Sequence, residues 1–419
     1  MAAVPPMQAT VLRIDEKTRS YDLDVVSPGH FRAQAVETVD ASIVLERPGI
    51  TLYCLDDERR EALFVETPPD ADLSRHPFYC QAQYQHAQRL LRLSYETLHD
   101  LASKAKPFRN LVLIYSVGRC GSTLLSRALG CVDTVCSLGE PDVHTQITAL
   151  RPRDGSRDEE LARLLESCTR LLYKPAGPRV DTLAVKFRSY AIEVGDLMYR
   201  AFPQAKVLFI YRNAETWLQS YARAFATQAG QDNLAATLAG NPQFLQRTVP
   251  LLGQYVRREI RARLTPKDYP VLAALALAQR IPFTRRHTRT PAQYALGHLR
   301  SLSEVKLAMQ YWLSVIERYL DLSRRGIPML AVRYETLLAA PNAALHAIFA
   351  HCDLPLEQVA AAQSAFDEDS QRGSTLAKER VAQSGGAPHD DRLGEVREAL
   401  AEHPLIRQSD FQVPNTLVV

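Results

Sequence analysis

Cysteine is sparse and unpatterned in this chain. Seven residues (Cys54, Cys80, Cys120, Cys131, Cys136, Cys168 and Cys352) are scattered over 419 positions, an odd number without a C-x-x-C pair. That excludes a zinc knuckle and gives no disulfide framework, so a reducing, cytoplasmic setting is expected. Excess charge is missing as well. Fifty Lys and Arg face 47 Asp and Glu, a formal net charge of +3, and nothing in that balance calls for nucleic acid. No apolar run approaches the ~20 residues that a bilayer span needs. The opening MAAVPPMQATVLRIDEK lacks a basic stretch followed by an apolar one, so no signal peptide is expected there. A Gly-X-Y period is absent and no internal repeat is apparent. What is present, 46% apolar and 23% charged residues, supports a sizeable folded core.

Residues 1–80 alternate short apolar stretches (9–14, 20–26, 41–46, 51–55 and 61–66) with turn signals such as SPG, RPG and DDE, the pattern of a small β-rich region. Residues 81–108 read as a connecting helix, because Leu90, Leu91, Leu93 and Leu98 stand among good helix formers. Lys106 and Pro107 mark a boundary. From residue 109 the rhythm changes to nearly all-apolar strands at 111–115, 182–187, 206–211 and 328–334, separated by helical stretches. Strands of that kind belong to a parallel sheet covered on both faces. The expected organisation is an α/β domain over 109–385, with a helical insertion at about 225–300 and a C-terminal extension over 386–419. The tail PNTLVV packs at an edge or frays; the pattern leaves both open.

The strongest local signal is LVLIYSVGRCGSTLLSRAL, residues 111–129. An apolar strand enters a loop with Gly118 and Gly121, and a helix then opens with Ser122 and Thr123. Glycines let backbone N–H groups converge, and a helix start offers further free N–H groups. Arg119 adds a charged fork of donors, so the loop reads as a cradle for a phosphate or sulfate group. It is not a Walker A loop, since Gly121 stands where G-x-x-x-x-G-K-[ST] needs its lysine. A second anion site is suggested at KVLFIYRNAETWLQSYARAF, residues 206–225. There a strand ends at Arg212, Asn213 can cap a helix, and Ser220 follows eight residues after the arginine.

With these residues in order, the chain resembles the sulfotransferase superfamily, enzymes that use 3′-phosphoadenosine 5′-phosphosulfate (PAPS). Arg119-Cys120-Gly121-Ser122-Thr123-Leu124 looks like the family's 5′-phosphosulfate loop, and Arg212-Asn213 with Ser220 looks like its 3′-phosphate motif. Val332-Arg333-Tyr334-Glu335-Thr336-Leu337, followed by Pro341, resembles a later strand and turn. Asp369-Ser370-Gln371-Arg372-Gly373-Ser374-Thr375 resembles the loop that closes over the nucleotide. The resemblance covers roughly 109–385. It implies a P-loop-like three-layer α/β/α fold with a central parallel sheet. It also implies PAPS as donor, adenosine 3′,5′-bisphosphate as product, and Gly118, Tyr334, Arg372 and Gly373 near the nucleotide.

Sulfuryl transfer needs the leaving phosphate held, the reactants aligned and the acceptor's proton removed. Arg119 and the loop amides suit the first task. The family's glutamate-using branches, tyrosylprotein sulfotransferases among them, carry their base about twenty residues beyond the loop arginine. Glu140, 21 residues beyond Arg119, is therefore the expected base, with partial burial raising its basicity. His144 is the competing base, already tuned near neutrality. Asp142 replaces an arginine of the tyrosylprotein branch, which argues against a protein tyrosine as acceptor. Lys186, a charge inside a buried strand, either assists the transferring group or pairs with a carboxylate; Arg188 just beyond has the same choice. No acidic metal cluster accompanies the loop, so no metal is expected. The aromatic and basic residues of 255–300 (Tyr255, Phe283, Arg285, Arg286, His287 and Tyr294) are either an acceptor wall or a solvated basic face. The acceptor itself (small molecule, carbohydrate, lipid or carrier-bound) and the oligomeric state are open. The competing classes are a P-loop-like small-molecule kinase and a non-catalytic nucleotide-binding or scaffold protein.

Overall fold

The computed structural model describes residues 7–19, 22, 24–225, 242–278, 291, 294, 303–374, 376–377, 379 and 392–419. The chain divides into two compact units. The first holds Met1–Tyr211, Tyr319–Arg380 and Val413–Val419, and the second holds Arg212–Arg318 and Val381–Gln412.

In the first unit, β1 (Gln8–Lys17), β2 (Phe31–Asp40), β3 (Ile50–Asp56), β4 (Glu61–Glu66) and β5 (Arg89–Ser94) form an antiparallel sheet in the order β2-β1-β5-β4-β3. Its core gathers Leu12, Val26, Phe31, Tyr53, Leu63, Val65, Cys80 and Leu90. Helices α1 (Ile43–Glu46), α2 (Tyr79–His86) and α3 (Tyr95–Lys104) complete this region. The expected connecting helix over 81–108 is corrected here. α2 stops at His86, and residues 89–94 become β5, a central strand paired with β1 on one side and β4 on the other. Leucine's helix preference is overridden because Leu90 and Leu91 each find partners on both neighbouring strands: Leu12 and Val65, Val11 and Phe64. The Ser94 hydroxyl then accepts the Thr97 N–H at 3.1 Å and starts α3.

The second sheet is parallel throughout: β6 (Asn110–Ser116), β7 (Val135–Gly139), β8 (Thr182–Lys186), β9 (Lys206–Tyr211) and β10 (Met329–Arg333), ordered β10-β9-β6-β8-β7. All of β6 and β8 is buried. With α4 (Ser122–Gly130), α5 (Val143–Leu150), α6 (Asp158–Leu172) and α7 (Gly195–Ala201), the sheet builds the expected three-layer α/β/α arrangement, with the antiparallel sheet outside it. The two sheets are tied within the unit. Gln146 of α5 accepts the Leu55 N–H at 2.7 Å and donates to its carbonyl at 2.5 Å, and the Arg157 guanidinium holds both oxygens of Asp57 at 2.8 Å. The tail packs at an edge. The Ala331 N–H donates to Asn415 O at 3.0 Å and the Leu417 N–H to Ala331 O at 2.8 Å.

The second unit is helical where described, with α8 (Ala214–Phe225) followed by helices Pro242–Thr248, Pro250–Arg263, Asp268–Ala278 and most of Glu304–Arg324. The Asn213 side chain caps α8, accepting the N–H groups of Glu215 and Thr216 at 3.0 and 3.3 Å. Gly326 follows the long helix with φ at 81°, the left-handed conformation that ends many helices. Among the described residues no helix is long and apolar enough to cross a membrane.

Candidate active site

Because the strands of the second sheet run the same way, their carboxyl ends share one edge, where open α/β sheets bind ligands. β6 stands in the middle, with β8 on one side and β9 on the other. The register puts Gly139, Lys186, Ile114 and Leu208 in one row across four strands. The loop after β6, Glu140 after β7 and the end of β8 therefore leave the same edge. At the usual strand spacing, β7 and β6 are about 10 Å apart, a gap that side chains from both can bridge.

The loop 117–121 is strongly turned. Gly118, Arg119 and Gly121 have φ of 72°, 49° and 80°, and left-handed residues of this kind form the N–H concavities that take anions. The glycines are required by their surroundings too. A Cβ on Gly121 would lie 2.8 Å from Cδ2 of Tyr334, and one on Gly118 would lie 2.8 Å from the Ser189 hydroxyl. Tyr334 thus packs directly on the loop. From below, the Val117 N–H and the Cys120 thiol both donate to Ile210 O of β9, at 3.1 and 3.2 Å. Cys120 is fully buried, so only its main chain can serve a ligand. The Leu125 N–H returns to Gly121 O at 3.0 Å as α4 begins. The earlier N–H groups of that helix have no carbonyl within it, and the helix dipole favours an anion at this end. Ser122 turns inward, its hydroxyl accepting that of Ser116 at 3.2 Å. Thr123 instead meets the late glycine-containing loop, its hydroxyl accepting from the Gln371 amide at 3.0 Å. In that loop the Arg372 N–H donates to Asp369 O at 3.0 Å and Gly373 takes φ of 86°. Thr375 of the same motif lies outside the described residues.

Glu140 follows β7 with φ at 56°, and its N–H donates to Lys186 O at 2.6 Å. The Lys186 ammonium bonds the Glu140 carboxylate, and both side chains are largely buried. Of the two readings for Lys186, carboxylate pairing is the one seen. Arg188 Nε lies 3.6 Å from the other Glu140 oxygen and 2.8 Å from Asp142. Burial alone would make Arg188 easier to deprotonate, but Asp142, with Tyr190, Cys80 and Glu140, outweighs it and holds the guanidinium well above its ordinary range. Asp142 is buried and also accepts the Val26 N–H at 2.9 Å. Two cations and two carboxylates thus form one buried group at the ends of β7 and β8.

His144 is built into the structure differently. Its Nδ1 sits 3.0 Å from Pro141 O and its Nε2 2.9 Å from the Thr169 hydroxyl. A carbonyl can only accept, so Nδ1 carries the proton and Nε2 accepts from Thr169. Burial pushes the pKa down to about 4, and the ring packs edge-on to Phe187 at 5.0 Å. With both nitrogens engaged inside the protein, this side chain is poorly placed to reach an acceptor.

Sequence reasoning missed a contribution from the N-terminal region. The Phe78 ring lies 5.7 Å from the Lys186 ammonium. A Cβ on Gly139 would fall 2.5 Å from Pro77 O, so glycine is what lets this backbone reach the end of β7. His76 bonds the Phe78 carbonyl at 2.8 Å and the Gly373 backbone, and burial lowers its pKa. Nothing in the spacing of His76, Pro77 and Phe78 signals this closeness, because it depends on how two sheets dock.

Arg212 and Ser220 belong to the second unit. There the Arg212 Nε donates to the Thr216 hydroxyl at 3.0 Å, and Ser220 is buried on α8. Tyr255 carries the Arg258 guanidinium 5.3 Å from its ring centre, and the Tyr294 hydroxyl donates to Asp268 at 2.9 Å. Phe283, Arg285, Arg286 and His287 lie outside the described residues. Among the described residues no cluster of His, Cys, Asp or Glu is placed to hold a metal ion.

No protein-family model matches the chain, and no curated protein matches it. Among solved structures it is similar to a sulfotransferase from Alicyclobacillus acidocaldarius, with 14% identity over 71% of this chain and 94% of that one, at a TM-score of 0.32. It is also similar to sulfotransferase STF1 from Mycobacterium tuberculosis H37Rv, with 14% identity over 68% of this chain and 78% of that one, at a TM-score of 0.33. Likeness at this level carries no argument about activity, and the function has to be read from the chain's own residues.

Proposed function

We propose that this chain is a sulfotransferase that moves a sulfuryl group from PAPS to a hydroxyl or amine of a small-molecule, carbohydrate, lipid or carrier-bound acceptor. The observation that carries this reading is the cradle after β6: three left-handed residues around Arg119, opening onto α4 and closed by Tyr334. Two of its positions admit no side chain, so the concavity is kept for backbone donors, which fits a phosphosulfate. In a Walker-type kinase a lysine stands directly before the Ser/Thr that opens the helix; here that position is Gly121, packed against the Tyr334 ring, which gives the kinase alternative no support.

The donor, when bound, supplies a sulfuryl group already activated by a phosphate leaving group. Arg119 and the amides of 118–123 hold that phosphosulfate and take up charge as the leaving phosphate develops it. The family resemblance assigns the 3′-phosphate to Arg212, Ser220, Arg372 and the backbone at Gly373. Glu140 accepts the acceptor's proton on a carboxylate oxygen, and His144 is assigned a structural role. Lys186, bonded to that carboxylate, orients it and keeps positive charge at the edge where the transferring oxygens pass. Arg188 and Asp142 hold the pair in place.

Isothermal calorimetry tests the reading. Adenosine 3′,5′-bisphosphate should bind far more tightly than adenosine 5′-monophosphate. Arg212→Ala should remove most of the difference, since a charge-assisted bond is worth about 1.5–3 kcal/mol, or roughly 10- to 100-fold. Equal affinities in the unmodified chain would sink the second phosphate site. Tight binding without sulfate transfer to any member of broad acceptor pools would favour a non-catalytic nucleotide-binding protein.

A further inference from the structure

Helix Asp268–Ala278, with the sequence DYPVLAALALA, has no polar face after its first residue. A helix apolar all round belongs in a core or in lipid, yet this one is open to solvent. Tyr269 is 59% exposed, Val271 39% and Leu277 61%, and the alanines between them are exposed too. At 11 residues it is far too short to span a bilayer, which takes ~20.

The charge around it is one-sided. Residues 251–300 hold ten Arg and Lys against two acids, Glu259 and Asp268. Both acids are withdrawn. Glu259 is paired with Arg263 and lies 3.6 Å from Arg258. Asp268 is buried, accepting the Thr265 N–H and hydroxyl at 2.8 and 2.7 Å and the Tyr294 hydroxyl at 2.9 Å. Among the described residues that precede the apolar helix in sequence, from 250 to 267, the exposed charges are therefore cationic: Arg258 and Arg261 on helix Pro250–Arg263, and Lys267 in the turn between the helices.

We propose that helix Asp268–Ala278 and the basic turn and helix before it form a docking surface for an anionic lipid membrane. The apolar side chains enter the interface between headgroups and acyl chains, while Arg258, Arg261 and Lys267 meet lipid phosphates. An acidic protein surface would satisfy the cations but leave Val271, Leu272, Leu275 and Leu277 in water. An apolar protein groove would strand the cations. An anionic bilayer satisfies both. This inference stands apart from the proposed activity and does not need it.

Flotation of the full-length chain with vesicles is the test, comparing phosphatidylcholine alone with a phosphatidylcholine–phosphatidylglycerol mixture. The chain should float with the mixture, not with phosphatidylcholine, and high salt should release it. Arg258→Gln, Arg261→Gln and Lys267→Gln together should lower partitioning roughly 100-fold, at about fivefold per cation. Val271→Ser with Leu277→Ser should lower it at least about tenfold. These side chains are exposed, so melting temperatures should stay unchanged and misfolding would not be mistaken for lost binding. Failure to float with anionic vesicles would overturn the proposal, as would flotation unaffected by the apolar pair. Concentration-dependent self-association removed by that pair, without vesicle binding, would make a second copy the occupant and overturn it equally.

Discussion

Acidification offers a direct test of how His144 is built into this protein. The ring is buried, with Nδ1 facing a carbonyl and Nε2 facing a hydroxyl. Its pKa falls from 6.5 to about 4, with burial as the first cause. A histidine whose folded value lies below its unfolded value takes up its proton more readily in the unfolded chain. Its contribution is therefore fully present above pH 6.5 and is lost as pH falls from there towards 4. The gap corresponds to about 3 kcal/mol at the acid end, at 1.36 kcal/mol per pH unit. Urea unfolding should be followed by circular dichroism at several values between about pH 7.5 and about pH 4.5, which spans most of the titration window. His144→Gln cannot titrate. It should cost stability at neutral pH through lost packing and bonding, and that deficit should shrink steadily as pH falls. His30, lowered to about 4 by burial first and then by Arg19, adds acid sensitivity of the same sign to both proteins and cancels in the comparison. A deficit that stays constant across the window would refute a neutral, buried His144. A collapse of turnover in His144→Gln with stability intact would refute the structural role and restore histidine as the base.

Glu140→Gln should lower sulfate transfer roughly 10²–10⁴-fold while leaving adenosine 3′,5′-bisphosphate affinity nearly unchanged, read by steady-state rates and calorimetry; near-normal turnover would remove Glu140 as the base. Gly121→Ala combines a left-handed backbone with a methyl 2.8 Å from Tyr334, so it should cost about 1–3 kcal/mol and weaken nucleotide binding. Replacing Tyr334 by Ala in the same chain should recover part of that loss in denaturant titrations, and no recovery would mean that the ring does not press on the loop. Asp142→Asn keeps an acceptor for the Val26 N–H but strips Arg188 of its nearer anion, so unfolding free energy should fall by about 3–5 kcal/mol; a loss under about 1 kcal/mol would mean that water reaches this group.

The parallel sheet was legible because a strand covered on both faces must be apolar throughout. β6, β8, β9 and β10 stand where the continuous apolar runs are. The loop after β6 was legible for a related reason: glycine is cheap only where φ is positive or space is missing, and Gly118 and Gly121 meet both conditions. β5 was not legible. Its leucines suit a helix as well as a strand, and the choice was made by β1 and β4, which lie far away in sequence. The setting of Glu140 was half legible. Its distance along the chain from Arg119 could be counted, and Lys186 could be flagged as a buried charge needing a partner. That the two find each other follows from strand register, which brings Gly139 beside Lys186. Asp142 was read as a missing arginine, when in the folded chain it is the anion that holds one.

That last exchange gives the N-terminal region a role which its sequence did not suggest. A buried pair of cations facing a pair of carboxylates is stable only if the remaining polar atoms are bonded and water is kept out. Here the closure comes from the antiparallel region of the same unit. The Val26 N–H completes Asp142, the Asp24 carbonyl lies 3.5 Å from Arg188, and the Phe78 ring covers Lys186. Pro77 comes so near Gly139 that no side chain fits between them. The edge that carries Glu140 is thus walled by residues from outside the parallel sheet. A carboxylate fixed by two cations and screened by another region's backbone has little freedom to reorient. If Glu140 is the base, as proposed, its surroundings are set by the antiparallel region as much as by the parallel sheet, and His76 also reaches the backbone of Gly373 in the late loop.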